Sequence, residues 1–137
     1  MITSIAMRLL LMVGLFADDA SKPVTVHVVS LIADHNSTFR VMGEKNSEID
    51  LIAGEPVLLH VYARKAKSMN RDGSVHGLLL LDSQHKPVAG WDLLFKPGVQ
   101  EMQLTAPAEP GTYEAVCTVI CSDDHDQMKL KVVVSSK

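Results

Sequence analysis

The sequence predicts an all-β fold, a Greek-key sandwich or barrel, and three observations predict it. From about residue 21 onward, apolar and polar residues alternate with period two. The alternating stretches are rich in β-branched residues, which suit a pleated, half-buried surface. Turn residues break the pattern roughly every eight to twelve positions, the rhythm of short antiparallel strands. There is no convincing amphipathic helix, internal repeat or low-complexity tract.

Taken in order, Pro23 to Ile32 (PVTVHVVSLI) is the first expected strand and Ser37 to Met42 the second, followed by a turn over Gly43 to Asn46. Ile49 to Ala53 is short and stops at Gly54, and Pro56 to Ala63 (PVLLHVYA) is a strong strand. Arg64 to Gly73 (RKAKSMNRDG) is a polar, basic loop closed by the turn dipeptide Asp72-Gly73. Val75 to Leu81 (VHGLLLL) is continuously apolar, which predicts a central strand covered on both faces. Asp82 to Lys86 turns the chain, Val88 to Phe95 returns it, and Lys96-Pro97-Gly98 turns it again. Val99 to Thr105 alternates, Pro107 to Gly111 is a rigid connection, and Tyr113 to Thr118 and Gln127 to Val134 are the last strands. Met42, Met102 and Trp91 are expected in the core. His27 and His60 fall inside strands at surface or hydrogen-bonded positions, and His35 and His85 fall in turns.

The chain has 137 residues, enough for one domain with its own core. A formal charge of −3 with 21% charged residues gives no basic face for nucleic acid. Aromatic residues make up 4%, so stacking surfaces for bases or sugars are scarce. At the N-terminus, Arg8 precedes the apolar run Leu9 to Phe16 (LLLMVGLF), and Ala17 to Ala20 (ADDA) then turns polar. This is the layout of a secretory signal peptide. The run is shorter than the ~20 residues that a spanning helix needs. Residues 1–20 are therefore expected to be a signal peptide or short N-terminal anchor, and 21–137 the folded domain. The expected location is periplasmic or secreted, with a membrane tether if the segment is retained.

The chemistry is concentrated near the C-terminus, in GTYEAVCTVICSDDHDQMKLKVVV. A strand delivers Cys117, a loop holds Cys121 and His125, and Met128 sits where the last strand begins. Two thiols, an imidazole and a thioether thus fall within one loop between two strands. Soft sulfur donors with imidazole favour copper among the first-row metals. His76, just after a turn and at the start of an apolar strand, is the best candidate for one more imidazole. Three other readings of the same residues stand beside this one. Cys117 and Cys121 could form a disulfide in an oxidising compartment. A mononuclear blue-copper site could use His76, Cys121, His125 and Met128. A closed zinc site could use Cys117, Cys121, His125 and His76. Arg64, Lys65, Lys67 and Arg71 read as a solvated basic loop, and Met69 as an exposed side chain.

Gly111-Thr112-Tyr113 followed by Cys117-x3-Cys121-x3-His125-x2-Met128 resembles the binuclear copper (CuA-type) domain of cytochrome c oxidase subunit II and nitrous oxide reductase, over roughly residues 50 to 137. The resemblance implies a cupredoxin fold carrying two copper ions per chain. It implies that Cys117 and Cys121 bridge them, that His76 and His125 cap one each, and that Met128 and the Val119 carbonyl are weak axial ligands. The chain departs from that pattern at Ser122, where oxidase members usually have glycine, and at Asp123 and Asp124. Ser74 stands where the family usually has valine. The expected function is one-electron transfer without catalysis, because metal catalysis needs an open coordination position. Expected partners are a c-type cytochrome or a terminal oxidase or reductase, and a copper chaperone that loads the site, with no nucleic acid and no substrate. The competing expectation is a copper chaperone or store that delivers metal to an oxidase or reductase.

Overall fold

The computed structural model describes residues 22–44 and 47–137, so the expected signal peptide or anchor lies outside the described residues. Nine strands are formed: β1 His27–Ala33, β2 Phe39–Val41, β3 Glu48–Ile52, β4 Pro56–Ala63, β5 His76–Leu81, β6 Pro87–Phe95, β7 Gly98–Thr105, β8 Gly111–Val116 and β9 Lys129–Ser135. They make a four-stranded sheet in the order β2-β1-β4-β7 and a five-stranded sheet in the order β3-β9-β8-β5-β6. Two pairs are parallel, β1 with β4 and β3 with β9, so the chain must cross between sheets in Greek-key fashion. A 3-10 turn over His125–Gln127 is the one helical element among the described residues. No helix among them is long and apolar enough to cross a membrane.

The period-two pattern explains the core. Val29, Leu31 and Ala33 of β1 and Val57, Leu59, Val61 and Ala63 of β4 are buried from one sheet. Leu78 and Leu80 of β5, Tyr113 and Ala115 of β8, and Leu130, Val132 and Val134 of β9 meet them from the other. The alternate residues of each strand face outward, as the pleat requires. Trp91 is buried, and its indole N–H donates to the Thr105 carbonyl at 2.8 Å.

Several expectations are corrected. β1 starts at His27 rather than Pro23, because its parallel partner β4 starts only at Pro56 and leaves residues 22–26 without a ladder. β2 starts at Phe39 rather than Ser37, because Ser37 takes a left-handed backbone at φ 60°. β9 starts at Lys129, after the 3-10 turn, and Met128 precedes it. β5 is covered on both faces only at its first half, since Leu79 and Leu81 are half-buried. Met42 is not in the core: it lies just past β2, on the edge of its sheet, and is 62% exposed. Met102 is partly buried against the core.

The β1–β2, β4–β5 and β8–β9 connections gather at one end of the sandwich. The Arg64 N–H donates to the Ala33 carbonyl at 2.9 Å, and the Ser68 N–H donates to the Cys121 carbonyl at 3.3 Å. That end holds the thiols.

Candidate metal centre

β5 delivers His76. Its first residue pairs with Phe95 at the end of β6, and the preceding Val75 N–H donates to the Phe95 carbonyl at 2.8 Å. The register carries the imidazole inward, where it is fully buried. Nε2 donates to the Arg64 carbonyl at 2.9 Å, which leaves Nδ1 as the unprotonated nitrogen with a free lone pair. Nδ1 is the one buried side-chain nitrogen or oxygen without a hydrogen-bond partner among the described residues. Such an orphan costs about 1–3 kcal/mol, and a metal ligand bond removes the cost. Burial holds the pKa of His76 below its ordinary value, against the Arg64 carbonyl and the Asp34 charge, which act the other way. The ring is thereby kept neutral, the form that ligates.

The next residue has to be glycine. A Cβ at Gly77 would fall 2.2 Å from the Thr118 hydroxyl oxygen and 3.1 Å from the Leu93 carbonyl oxygen. Absence of a side chain lets the β8–β9 connection lie against the start of β5.

β8 ends at Val116, and the Cys117 N–H donates to the Met128 carbonyl at 3.1 Å, closing the neck of the loop. Both cysteines are free and buried. The donor atoms of His76, Cys117 and Cys121 lie within 4.8 Å of one another, the one such cluster among the described residues. The Cys117 thiol donates to the Val119 carbonyl at 3.4 Å, and the Cys121 N–H donates to the same oxygen at 2.8 Å. Burial pushes the Cys117 thiol above its ordinary pKa, and the neighbouring Cys121 adds to this. Hydrogen bonds with the backbone of Gly77 and Val119 work against it. A cation is what would hold both sulfurs deprotonated in so dry a place.

His125 stands outside the cluster. It starts the 3-10 turn with its side chain 23% exposed, Nε2 at 3.0 Å from an Asp126 carboxylate oxygen and Nδ1 at 3.3 Å from the Ser122 carbonyl. Met128 is buried. The expected donors thus divide: His76, Cys117 and Cys121 are brought together, and Val119 bonds to both cysteines. Met128 is buried but is not among the gathered donors, and His125 is engaged with Asp126 and Ser122 instead.

Two residues that the sequence does not single out complete the site. Ser37, 4% exposed, places its hydroxyl 4.0 Å from the Cys121 sulfur and in hydrogen-bond contact with the Ser122 hydroxyl. Asp34, 3% exposed, bonds the His35 N–H at 2.8 Å and the Arg40 guanidinium at 2.6 Å, and lies 3.7 Å from that of Arg64. A polar turn between two strands was the one signal for either. Nothing in it points across 84 positions to a cysteine.

Two thiols and a bare imidazole form a soft donor set, which suits copper better than magnesium or calcium. No protein-family model matches the chain, and no curated protein matches it. Solved structures do. A chain in the cryo-EM structure of a heme-copper terminal oxidase dimer is similar at TM-score 0.60 and 19% identity, over 82% of this chain and 66% of that one. Auracyanin A, a "blue" copper protein from Chloroflexus aurantiacus, is similar at TM-score 0.52 and 17% identity, over 81% of this chain and all of that one. Rusticyanin from Thiobacillus ferrooxidans is similar at TM-score 0.52 and 21% identity, over 80% and 77%. The chain spans just under two thirds of the oxidase chain's length. At these identities the likeness establishes the fold, a Greek-key sandwich of the cupredoxin type.

Proposed function

We propose that this cupredoxin-type chain is an exported copper protein, with a binuclear CuA-type centre that serves as a one-electron carrier. The observation that carries the reading is that His76, whose buried Nδ1 has no hydrogen-bond partner, shares one cluster with two free thiols. Copper, when bound, supplies the one-electron couple. Cys117, Cys121, His76 and His125 would hold the copper, with Met128 and the Val119 carbonyl as weaker donors. Cys117 is what raises one ion to two, since a single ion is satisfied by the other donors. The protein's part is rigidity. His76 is locked by the Arg64 carbonyl and the loop by its closed neck, so the donors move little when charge changes. Every donor is protein, which leaves no open position for a substrate, and the proposal includes no catalysis. Likeness to a terminal oxidase and to copper proteins supports a redox partner such as a c-type cytochrome or a terminal oxidase or reductase.

One observation favours a second reading, copper handling. His125 is engaged with Asp126 and Ser122 rather than with the cluster. A site with three gathered donors and one to be recruited suits a chaperone or store that gives its metal up.

The test is to load the mature protein with copper, count metal per chain and record EPR. Two coppers with a signal split by two equivalent nuclei are expected, and Cys117→Ser should leave a mononuclear centre. One copper per chain in the unaltered protein overturns the binuclear centre. Retained zinc with no colour on adding copper overturns copper. Loss of copper to a chelator within seconds would favour handling over electron transfer.

A further inference from the structure

We propose that Ser122 and Ser37 form a hydroxyl relay onto the Cys121 sulfur that sets the reduction potential of the metal held there, an inference that rests on the copper reading above. The chemistry of the groups fixes the direction of the relay. The Asp124 N–H can only donate, and it lies 3.3 Å from the Ser122 hydroxyl oxygen. That oxygen therefore accepts, and its own proton is free for Ser37, whose hydroxyl it contacts. Ser37 then has its proton left for the Cys121 sulfur, 4.0 Å away. A metal-bound thiolate has no proton and can only accept. Each hydroxyl donates once and accepts once, so the line is fully satisfied in one direction when the site is loaded.

The backbone supports the assignment. Ser37 sits at φ 60°, a left-handed conformation that costs a serine about 1 kcal/mol or more and that glycine would take freely. A serine buried there gives its strain a purpose if the hydroxyl is needed. The turn is held in place by Asp34, which binds the His35 N–H, Arg40 and Arg64, while the Asp34 N–H donates to the Thr38 carbonyl at 2.9 Å. Arg64 supplies the carbonyl that orients His76, so one buried carboxylate braces the residues behind both the imidazole and the sulfur. A donor to a ligating sulfur draws charge from it and favours the electron-rich, reduced state. Removing the donor must lower the potential. Ser122 and Ser37 are positioning residues here, acting through Cys121.

The experiment compares the full chain with Ser37→Gly and Ser122→Ala. Glycine removes the hydroxyl and accepts the left-handed backbone, so the fold is kept. Three quantities are read: copper per chain, the reduction potential with the sulfur-to-copper charge-transfer band, and the Raman S–H stretch of the metal-free protein. Ser37→Gly should keep the copper count and move the charge-transfer band to lower energy. It should also shift the electron-transfer equilibrium against reduction by about tenfold, about 59 mV for one electron. Ser122→Ala should shift both in the same direction by less. In metal-free Ser37→Gly one S–H stretch should move, because the Cys121 thiol loses its hydroxyl partner. An unchanged potential with full copper loading overturns the relay. If the unaltered protein takes up no copper, the copper reading fails and the control of potential fails with it. The S–H stretch then decides the hydrogen bond alone: a shift sustains it and no shift overturns it.

Discussion

Asp34 is a carboxylate whose burial, taken alone, would raise its pKa above the ordinary 3.8. The His35 N–H and side chain and the charges of Arg64 and Arg40 outweigh burial and leave the pKa lowered. Folding therefore favours the charged form. The stability this confers is complete above the ordinary value and is lost as pH falls through the lowered one. Asp34→Asn keeps the shape and removes the charge, and should cost about 1.5–3 kcal/mol near neutral pH, the range for hydrogen bonds to a charged group. The gap between the two proteins in urea denaturation should hold from neutral pH to about pH 5, then close below pH 3.8. A gap that did not narrow as the pH fell below 3.8 would mean that something other than the ionised carboxylate separates the two proteins. Its role was not legible in the sequence, because its partners Arg40 and Arg64 come from a neighbouring strand and a distant loop. The cysteines were legible for the opposite reason. Cys117, Cys121, His125 and Met128 belong to one short loop, so spacing alone brings soft donors together. Where the imidazole of His125 points is a different matter, decided by competition from Asp126 and the Ser122 carbonyl, which spacing does not encode.

At the scale of elements, the nine strands were readable because most of them turn alternate side chains toward the core, and that pattern is local. Their ends depend on something non-local, the presence of a partner. PVTV continues the alternation of β1, yet Val24 and Val26 are exposed at 75% and 48%: Val26 comes opposite Pro56, the first residue of β4, which has no N–H to give, and Val24 lies beyond the end of β4. The packing of β5 against the β8–β9 connection is the contact that shapes the site, and Gly77 is its hinge point. Gly77→Ala would press a methyl group against Thr118 and the Leu93 carbonyl, an overpacking worth about 1–3 kcal/mol. The Thr118 hydroxyl is the end of a side chain and can yield, whereas the Leu93 carbonyl is backbone. Adding Thr118→Ala should therefore recover part of the loss and not all of it, measured as a double-mutant cycle in urea. Full additivity of the two changes would show that the methyl group is accommodated elsewhere and that the β5 contact is looser than its distances imply.

At the scale of the molecule, the centre fastens together pieces that the fold alone leaves as neighbours. His76 and the cysteine loop belong to the five-stranded sheet, whereas Ser37 and Arg64 come from connections of the four-stranded one. The loops meet through single hydrogen bonds, such as Ser68 N–H to the Cys121 carbonyl. A metal that binds the folded chain and not the unfolded one adds RT ln(1 + [L]/Kd), about 2.7 kcal/mol when free metal is 100 times Kd. For a domain of this size that corresponds to a rise in Tm on the order of 10 °C. Copper(I) under anaerobic, reducing conditions is the ligand to use, because it leaves both cysteines reduced and free to bind. The rise should vanish on adding a chelator, and a Cys117→Ser, Cys121→Ser variant should lack it when compared with its own metal-free Tm. Binding requires the cysteines as thiolates, so the same loading should release protons, and the gain in Tm should shrink as pH is lowered. Burial raises the pKa of Cys117 and so carries that dependence to higher pH. An equal rise in the double variant would place the copper somewhere other than this loop, and the electron carrier would have lost its site.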